Sequence, residues 1–323
     1  MVKVMTAAVN PSDNFFVIGQ YGSTKKFKQL PVGTGLSGAG VVVEVGEGVS
    51  EDLIGARVAL NQMPSNPGFI GTYRQYTFIS AKTVYPFPET MSYDDICNAM
   101  GANPITIAGF METAERDGHS AFINDAAASS LGRMFAKYCK VHKLPLINIV
   151  RRKEQVDILK EEGAELILNS SESTFFDDLK AMIDEYKPTA FFDALSGDFP
   201  QKVLHLMPSG STMYVYGALS LSPTVNISGG DLIFKNQTIS NFWIPTWIKN
   251  TKKDVLMKWM RDIVQDVMEG GTIFGTKVSK TFPLAEFDSA MKQCICRQGD
   301  DQTSRIKCRK NNSLGRPNNF NYV

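Results

Sequence analysis

The sequence predicts an α/β protein in which a doubly wound parallel sheet is joined to a second, β-rich domain. Three observations carry that prediction. From about residue 120, short apolar runs of strand length recur between helical segments, and strands alternating with helices imply parallel pairing through right-handed crossovers. The first hundred residues differ. They set glycines close together around short alternating stretches, as in Gly38-Ala39-Gly40-Val41-Val42-Val43-Glu44-Val45-Gly46, a pattern of compact β structure. Finally, 323 residues at roughly 150 per domain predict two domains.

The elements follow in order. Apolar runs at 121–123, 146–150, 165–168, 190–192, 211–216 and 238–243 carry the β-branched and aromatic residues of strands. Between them, 153–162 places Val156, Ile158 and Leu159 on one stripe, and Gly163 follows as a stop. In 173–186 the apolar residues Phe175, Phe176, Leu179, Met182 and Ile183 recur at three- and four-residue steps until Pro188 ends the helix. Beyond Trp247 come a helix over 254–268, a β-like 276–284 and a helix from Ala285. The segment from Cys294 is polar, basic and nearly without core residues; it reads as mobile, or as folded only against a partner.

Composition excludes several classes. Lys and Arg number 34 against 33 Asp and Glu, a net charge of +1, which argues against a nucleic-acid binder with a basic footprint. No apolar run approaches the roughly 18 residues of a membrane span. Five scattered cysteines and a start without a secretory signal favour a reducing compartment over a disulfide scaffold.

The junction after the first strand of the alternating region reads Asn124-Asp125-Ala126-Ala127-Ala128-Ser129-Ser130-Leu131-Gly132. Dinucleotide folds need small residues here so that the chain turns tightly and approaches the pyrophosphate. The G-x-G-x-x-G spacing falls on Ala127, Ser129 and Gly132, so only its last glycine is kept. An ordinary strand–helix turn with small packing residues is the alternative. The next strand ends in Val150-Arg151-Arg152-Lys153, about twenty residues on, where NAD enzymes carry an acid. Guanidinium groups there suit a 2′-phosphate, which favours NADPH; a solvated basic helix start is the alternative. Asp125 and Asp193 lie at strand ends on the cofactor side, and Asp125 reads as satisfying turn amides. His119, His142 and His205 pair in sequence with no nucleophile and read as structural.

Taken together, Ala8-Val9-Asn10-Pro11-Ser12-Asp13, Gly19-Gln20-Tyr21, Gly38 to Val42, Gly71-Thr72-Tyr73, Asn103-Pro104-Ile105-Thr106, Ala126 to Gly132, Ile147 to Arg151 and Phe242-Trp243 resemble the zinc-free medium-chain dehydrogenase/reductase superfamily, and within it the quinone oxidoreductases and mitochondrial 2-enoyl thioester reductases. The resemblance spans about residues 3–293. It implies a GroES-like β-rich domain at 1–104 and 255–293, a Rossmann NADP-binding domain at 105–254, a tail at 294–323, and a homodimer or larger assembly. It would set Thr106 by the nicotinamide, Ser129, Ser130, Leu131 and Gly132 on the pyrophosphate, and Arg151 and Arg152 on the 2′-phosphate. Tyr214, Tyr216 and Gly217 would lie near the adenosine or ribose, and Phe242 and Trp243 would hold the nicotinamide amide.

Zinc alcohol dehydrogenases carry a Cys where Asn10 stands and a His-Glu pair where Leu36-Ser37 stand. Neither Asn10 nor Leu36 is a good ligand, and Cys294, Cys296 and Cys308 fit no common zinc spacing. No metal is expected. Hydride delivery to a conjugated C=C (an enoyl thioester or enone) or to a quinone needs no such Lewis acid, because the acceptor delocalises the charge. The resemblance makes Tyr21 the group that hydrogen-bonds the carbonyl oxygen or donates the proton; without it, Tyr21 is a tyrosine ending a helical turn. Asn10 orients substrate or Tyr21, or caps the helix starting near Pro11. Relatives of this type begin with a further hairpin and end in Gly-Lys and an apolar strand. The sequence therefore reads as clipped at both ends, its sheet edges covered by a partner or its gene prediction shortened. A retired reductase kept as an assembly subunit is the competing function. The compartment is read as cytoplasm, with the mitochondrion open.

Overall fold

The computed structural model describes residues 1–22, 31–62, 69–222, 224–275, 278, 280–296 and 304–307, without the side chains of 294–296 and 304–307. The chain divides into two units. One gathers Met1–Gly101, Lys277–Cys296 and the stretch at 304–307; the other spans Ala102–Thr276.

The first unit begins with β1 (Val2–Val9), whose alternating burial sets Val2 and Val4 into a core with Val42, Val58 and Leu60. A short helix, α1 (Pro11–Val17), leaves the end of β1, with Pro11 at the helix start, where a missing N–H costs nothing. Antiparallel pairing then continues through β2 (Ser37–Val42) and β3 (Arg57–Asn61) to β5 (Pro86–Phe87), while β4 (Tyr76–Thr77) pairs with β1. Helix α2 (Tyr93–Ala99) closes this part, capped by the Ser92 hydroxyl on the Asp95 N–H at 3.1 Å.

The second unit opens with α3 (Ala102–Asp117), followed by β6 (Phe122–Asn124), α4 (Ser130–Val141), β7 (Leu146–Val150), α5 (Lys153–Glu161), β8 (Ile167–Asn169) and α6 (Phe175–Tyr186). It continues through β9 (Ala190–Asp193), α7 (Asp198–Leu206), β10 (Thr212–Val215), α8 (Gly229–Phe234), β11 (Thr238–Asn241), α9 (Ile244–Asn250) and α10 (Lys253–Met268). All six strands are parallel, in the order β11-β10-β9-β6-β7-β8. The chain winds outward from β6 to β8, then returns to β9 beside β6 and winds the other way. The strand order reverses between β6 and β9, and the carboxyl ends of those strands flank the crevice that such sheets use for ligands. Ile123, Ile147, Phe191 and Met213 are each fully buried in one core with Leu179 and Val203, worth about 1.5–3 kcal/mol per large side chain. On the other face Phe110 stacks on Phe192 at 4.0 Å.

Every apolar run predicted as a strand of the parallel sheet forms one, with ends shifted by at most two residues. Two expectations need correction. The resemblance puts 255–293 in the β-rich domain, but helix α10 belongs to the second unit: it buries Trp259, Ile263 and Val267, and the Trp259 Nε1–H donates to Glu112 of α3 at 2.6 Å. The tail, expected to be mobile or folded only against a partner, contributes a strand. The chain returns through β12 (Lys280–Pro283) and α11 (Phe287–Cys296) to β13 (Ser304–Lys307), which lies between β12 and β1. Strand pairing uses backbone N–H and C=O groups, so a polar segment can complete a sheet where a position stands open. The rest of 297–323 lies outside the described residues.

Candidate active site

In the first unit the chemistry-bearing segment leaves β1 through Asn10. The backbone N–H of Asn10 donates to Asp13 Oδ2 at 2.9 Å, and the N–H of Leu36 donates to Asp13 Oδ1 at 2.9 Å. Side-chain hydrogen bonds from Tyr73 and Asn10 add to these. Asp13 is fully buried, and burial outweighs the four hydrogen bonds, pushing its carboxyl up to about 6. The Tyr73 hydroxyl also lies 2.8 Å from the Ala8 carbonyl, so its one proton is shared between that carbonyl and Asp13. Asn10 is thus tied into a network that fixes the end of β1 to β2. Tyr21 follows α1; its N–H donates to the Phe15 carbonyl at 2.9 Å and its ring meets Phe16 edge-on at 6.4 Å. Tyr21 is half-buried. Leu36 is buried, and among the described residues no three His, Cys, Asp or Glu side chains gather to hold a metal.

In the second unit the loop after β6 carries the predicted phosphate contacts. Ala126 adopts φ +48°, a left-handed conformation usually left to glycine. The Ala127 N–H donates to the Ile149 carbonyl at 3.2 Å, which holds the loop against the end of β7. Ser129 caps α4, its hydroxyl accepting the Gly132 N–H at 3.1 Å. Ser130 opens the helix, and Leu131 and Gly132 are buried. A Cβ on Gly132 would stand 2.5 Å from the Ala127 carbonyl oxygen; only glycine lets the helix start pack this close to the turn. These residues fit a diphosphate: a helix N-terminus, a turn of small side chains, and no bulk where the chain must pass closely.

Arg151 and Arg152 follow β7, exposed and half-buried respectively, with both backbone N–H groups on Gln155 Oε1. Thr106 lies buried in α3, its hydroxyl donated back to the Ala102 carbonyl at 2.8 Å. Phe242 is a core residue, seated over Gly109 and edge-on to Phe110 at 4.9 Å, whereas Trp243 is 41% exposed at the start of α9. Gly217 lies where a Cβ would meet the Ala194 carbonyl at 2.7 Å, and its own carbonyl accepts the Ser196 hydroxyl at 2.8 Å.

Tyr214 departs from the expectation. Its hydroxyl donates to Asp117 Oδ2 at 2.7 Å and meets His119 Nε2 at 3.1 Å. Asp117 ends α3 and His119 precedes β6, so the hydroxyl is committed toward the amino ends of the strands, away from the loop at 126–132. Arg116 pairs with Asp117 through two nitrogens and holds that carboxyl down at about 2. His119 Nδ1 meets the Thr189 hydroxyl at 2.9 Å, and burial lowers its imidazole. The other histidines are structural as well: His205 Nδ1 sits 2.8 Å from Asp231, and His142 stacks on Tyr138 at 4.1 Å.

Asp125 and Asp193 form a pair that local periodicity does not announce. Asn124 and Phe192 are register partners, so the Asp-Ala dipeptides that end β6 and β9 face each other at the strand-order reversal. Two parallel strands ending in the same dipeptide was the available signal. Asp125 Oδ1 accepts the Ala194 N–H at 2.7 Å; Asp193 Oδ1 accepts those of Leu195 and Ser196 at 2.8 and 2.9 Å. Tyr216, edge-on to Phe110 at 5.0 Å, has its phenol pushed well up by burial and by the charges of both acids.

Comparison with known proteins bears on both units. Residues 1–89 match the Alcohol dehydrogenase GroES-like domain family, and residues 130–262 match the Zinc-binding dehydrogenase family. The chain is 27% identical over 274 residues to the mitochondrial enoyl-[acyl-carrier-protein] reductase of Mus musculus, covering 83% of this chain and 71% of that one. It is 24% identical over 301 residues to the quinone oxidoreductase of Rattus norvegicus, covering 93% and 86%. Among solved structures, a protein from Mesorhizobium loti described provisionally as an NADPH:quinone reductase superposes with a TM-score of 0.83 at 28% identity, over 95% of this chain and 86% of that one.

Proposed function

Since the chain belongs to the medium-chain dehydrogenase/reductase superfamily and is similar to its quinone and enoyl reductases, we propose that it is an NADPH-dependent oxidoreductase acting without zinc on a conjugated C=C, as in an enoyl thioester or enone, or on a quinone. The observation that supports this best is the junction of β6 and α4, where Gly132 and the Ser129 cap bring a helix N-terminus against a turn of alanines. Residues 129–132 would hold the diphosphate and Arg151 and Arg152 the 2′-phosphate, which distinguishes NADPH from NADH. NADPH, when bound, supplies the hydride. Thr106, Gly217 and the backbone at 242–243 are proposed to border the cofactor. Tyr214 is left out, because its hydroxyl is engaged by Asp117 and His119.

Hydride arriving at a carbon conjugated to a carbonyl builds charge on the carbonyl oxygen. The protein must stabilise that charge and supply a proton. Tyr21 is proposed to do so through its hydroxyl, with Asn10 orienting it or the substrate. Zinc has no part in this reading even though the matched family carries zinc in its name. The Asn10 and Leu36 side chains are poor ligands, and Leu36 is packed into the core. A homodimer or larger assembly belongs to the proposal, as β11 stands at the edge of the parallel sheet, and the mitochondrial relatives extend it to that compartment.

The test is a fluorescence titration with NADPH and with NADH, followed by turnover with an enoyl thioester and with a quinone. Tight NADPH binding with weaker NADH binding is expected. Tyr21→Phe should then lower enoyl reduction by about a hundredfold while quinone reduction falls less. Failure of both nucleotides to bind would reject the enzyme reading and favour an assembly subunit.

A further inference from the structure

The end of β6 and the end of β9 bury two carboxyl groups against each other, and the reaction as proposed makes no use of them. Asp125 and Asp193 are both 0% exposed. Each spends one oxygen on backbone amides: Asp125 accepts the Ala194 N–H, and Asp193 accepts those of Leu195 and Ser196. The remaining oxygens, Oδ2 of each, are buried without a donor among the described residues, and the strand register brings the two residues to one level, where Asp193 pushes the Asp125 carboxyl further up. Two carboxylate oxygens cannot hydrogen-bond unless a proton stands between them, and two buried neighbouring charges with no cation acting on them among the described residues repel strongly. Among the described residues, Tyr216 at the end of β10 feels both acids; it is neutral at ordinary pH and brings no positive charge.

We propose that Asp125 and Asp193 share a single proton, and that this proton sets how tightly the adjoining loop at 126–132 holds the diphosphate of the nucleotide. The inference rests on the cofactor reading above. Asp125 immediately precedes the loop, and its bond to Ala194 ties that loop to the turn after β9. With the proton in place the pair carries one negative charge, and the acid–carboxylate bond holds the two strand ends together. When the proton leaves, a second negative charge appears at the mouth of an anion site and the strand ends repel. Burial favours the protonated form at Asp125. The proton is therefore bound more tightly by the folded than by the unfolded chain. The stability it contributes is full at low pH and is lost as pH rises through the folded-state value.

Asparagine is an isosteric copy of the protonated acid. In Asp125→Asn the amide carbonyl still accepts from Ala194 and the amide NH2 donates to Asp193, so the charge is fixed at one. The experiment is NADPH titration of wild type and Asp125→Asn from pH 6 to pH 10, with the melting temperature of both proteins recorded over the same range without nucleotide. Comparing the two proteins at each pH cancels the ionisation of the nucleotide itself. Wild type is expected to lose affinity relative to the variant by about tenfold across the range, and to lose melting temperature relative to it as pH rises. Asp193→Asn, which also leaves one carboxylate facing one amide, should behave like Asp125→Asn and serves if the latter does not fold. Parallel pH profiles for wild type and variants overturn the proposal. Failure of every protein to bind NADPH overturns the cofactor reading and the coupling with it; the melting curves then report separately whether the shared proton exists.

Discussion

Both units send a strand into a helix past a buried aspartate, and they treat that aspartate in opposite ways. In the β-rich unit, β1 leads through Asn10 to α1, and among the described residues no second acid joins the Asp13 network: backbone N–H groups of Asn10 and Leu36 and the side chains of Tyr73 and Asn10 act on it. In the parallel-sheet unit, β6 leads through Asp125 to α4, and that acid meets another, Asp193, with fewer donors between them. The difference teaches what a buried carboxyl needs. Donors converging from several directions lower the cost of the charge, so Asp13 rises only to about 6 and is ionised at neutral pH. A second acid in place of donors leaves a proton as the cheapest way to satisfy the site. The first arrangement pins a segment; the second makes its junction sensitive to pH.

The comparison can be broken most decisively at Gly132, since it assumes that the α4 junction is held as rigidly as the α1 junction. Gly132→Val should cost about 3 kcal/mol or more, because backbone atoms of Ala127 would have to move, and NADPH binding should disappear; chemical denaturation and titration read the two effects. A mild effect on both would mean that the junction is loose.

The Asp13 side of the comparison makes a pH prediction of opposite practical range. Its folded value, about 6, lies above the ordinary 3.8, so its contribution to stability is full below about pH 4, falls as pH rises toward 6, and is constant above. The loss between pH 4 and pH 7 is at most about 3 kcal/mol. Denaturation of wild type and Asp13→Asn across that range should show the slope reduced in the variant. Equal slopes would mean that Asp13 is solvated and that the contrast with Asp125 is false.

Two smaller effects sharpen the assignment of the parallel-sheet unit. Arg151→Ala should weaken NADPH binding about tenfold and leave NADH binding unchanged; equal losses would deny it the 2′-phosphate. Tyr214→Phe removes a hydroxyl bound to Asp117 and His119 and should cost about 1 kcal/mol of stability, with NADPH affinity unaffected. A loss of affinity there would return Tyr214 to the cofactor side.

The sequence by itself determined the alternating strands and helices of the second unit, because period and composition are local: Ile147, Ile149, Leu179 and Ile183 announce buried faces without reference to anything distant. It also determined the glycine at 132 and the pair of arginines after β7, since spacing from a strand end is a property of the chain. Sequence periodicity could not decide where α10 packs, as an amphipathic helix declares that it needs a partner but not which one; Trp259 found Glu112. Nor could it place β13, whose pairing rests on backbone groups that every residue shares. The direction of Tyr214 and the meeting of Asp125 with Asp193 were decided only by tertiary structure. Both depend on residues about seventy to a hundred positions apart along the chain, and the proton that two such acids must share becomes visible only when the strand register brings them to one level.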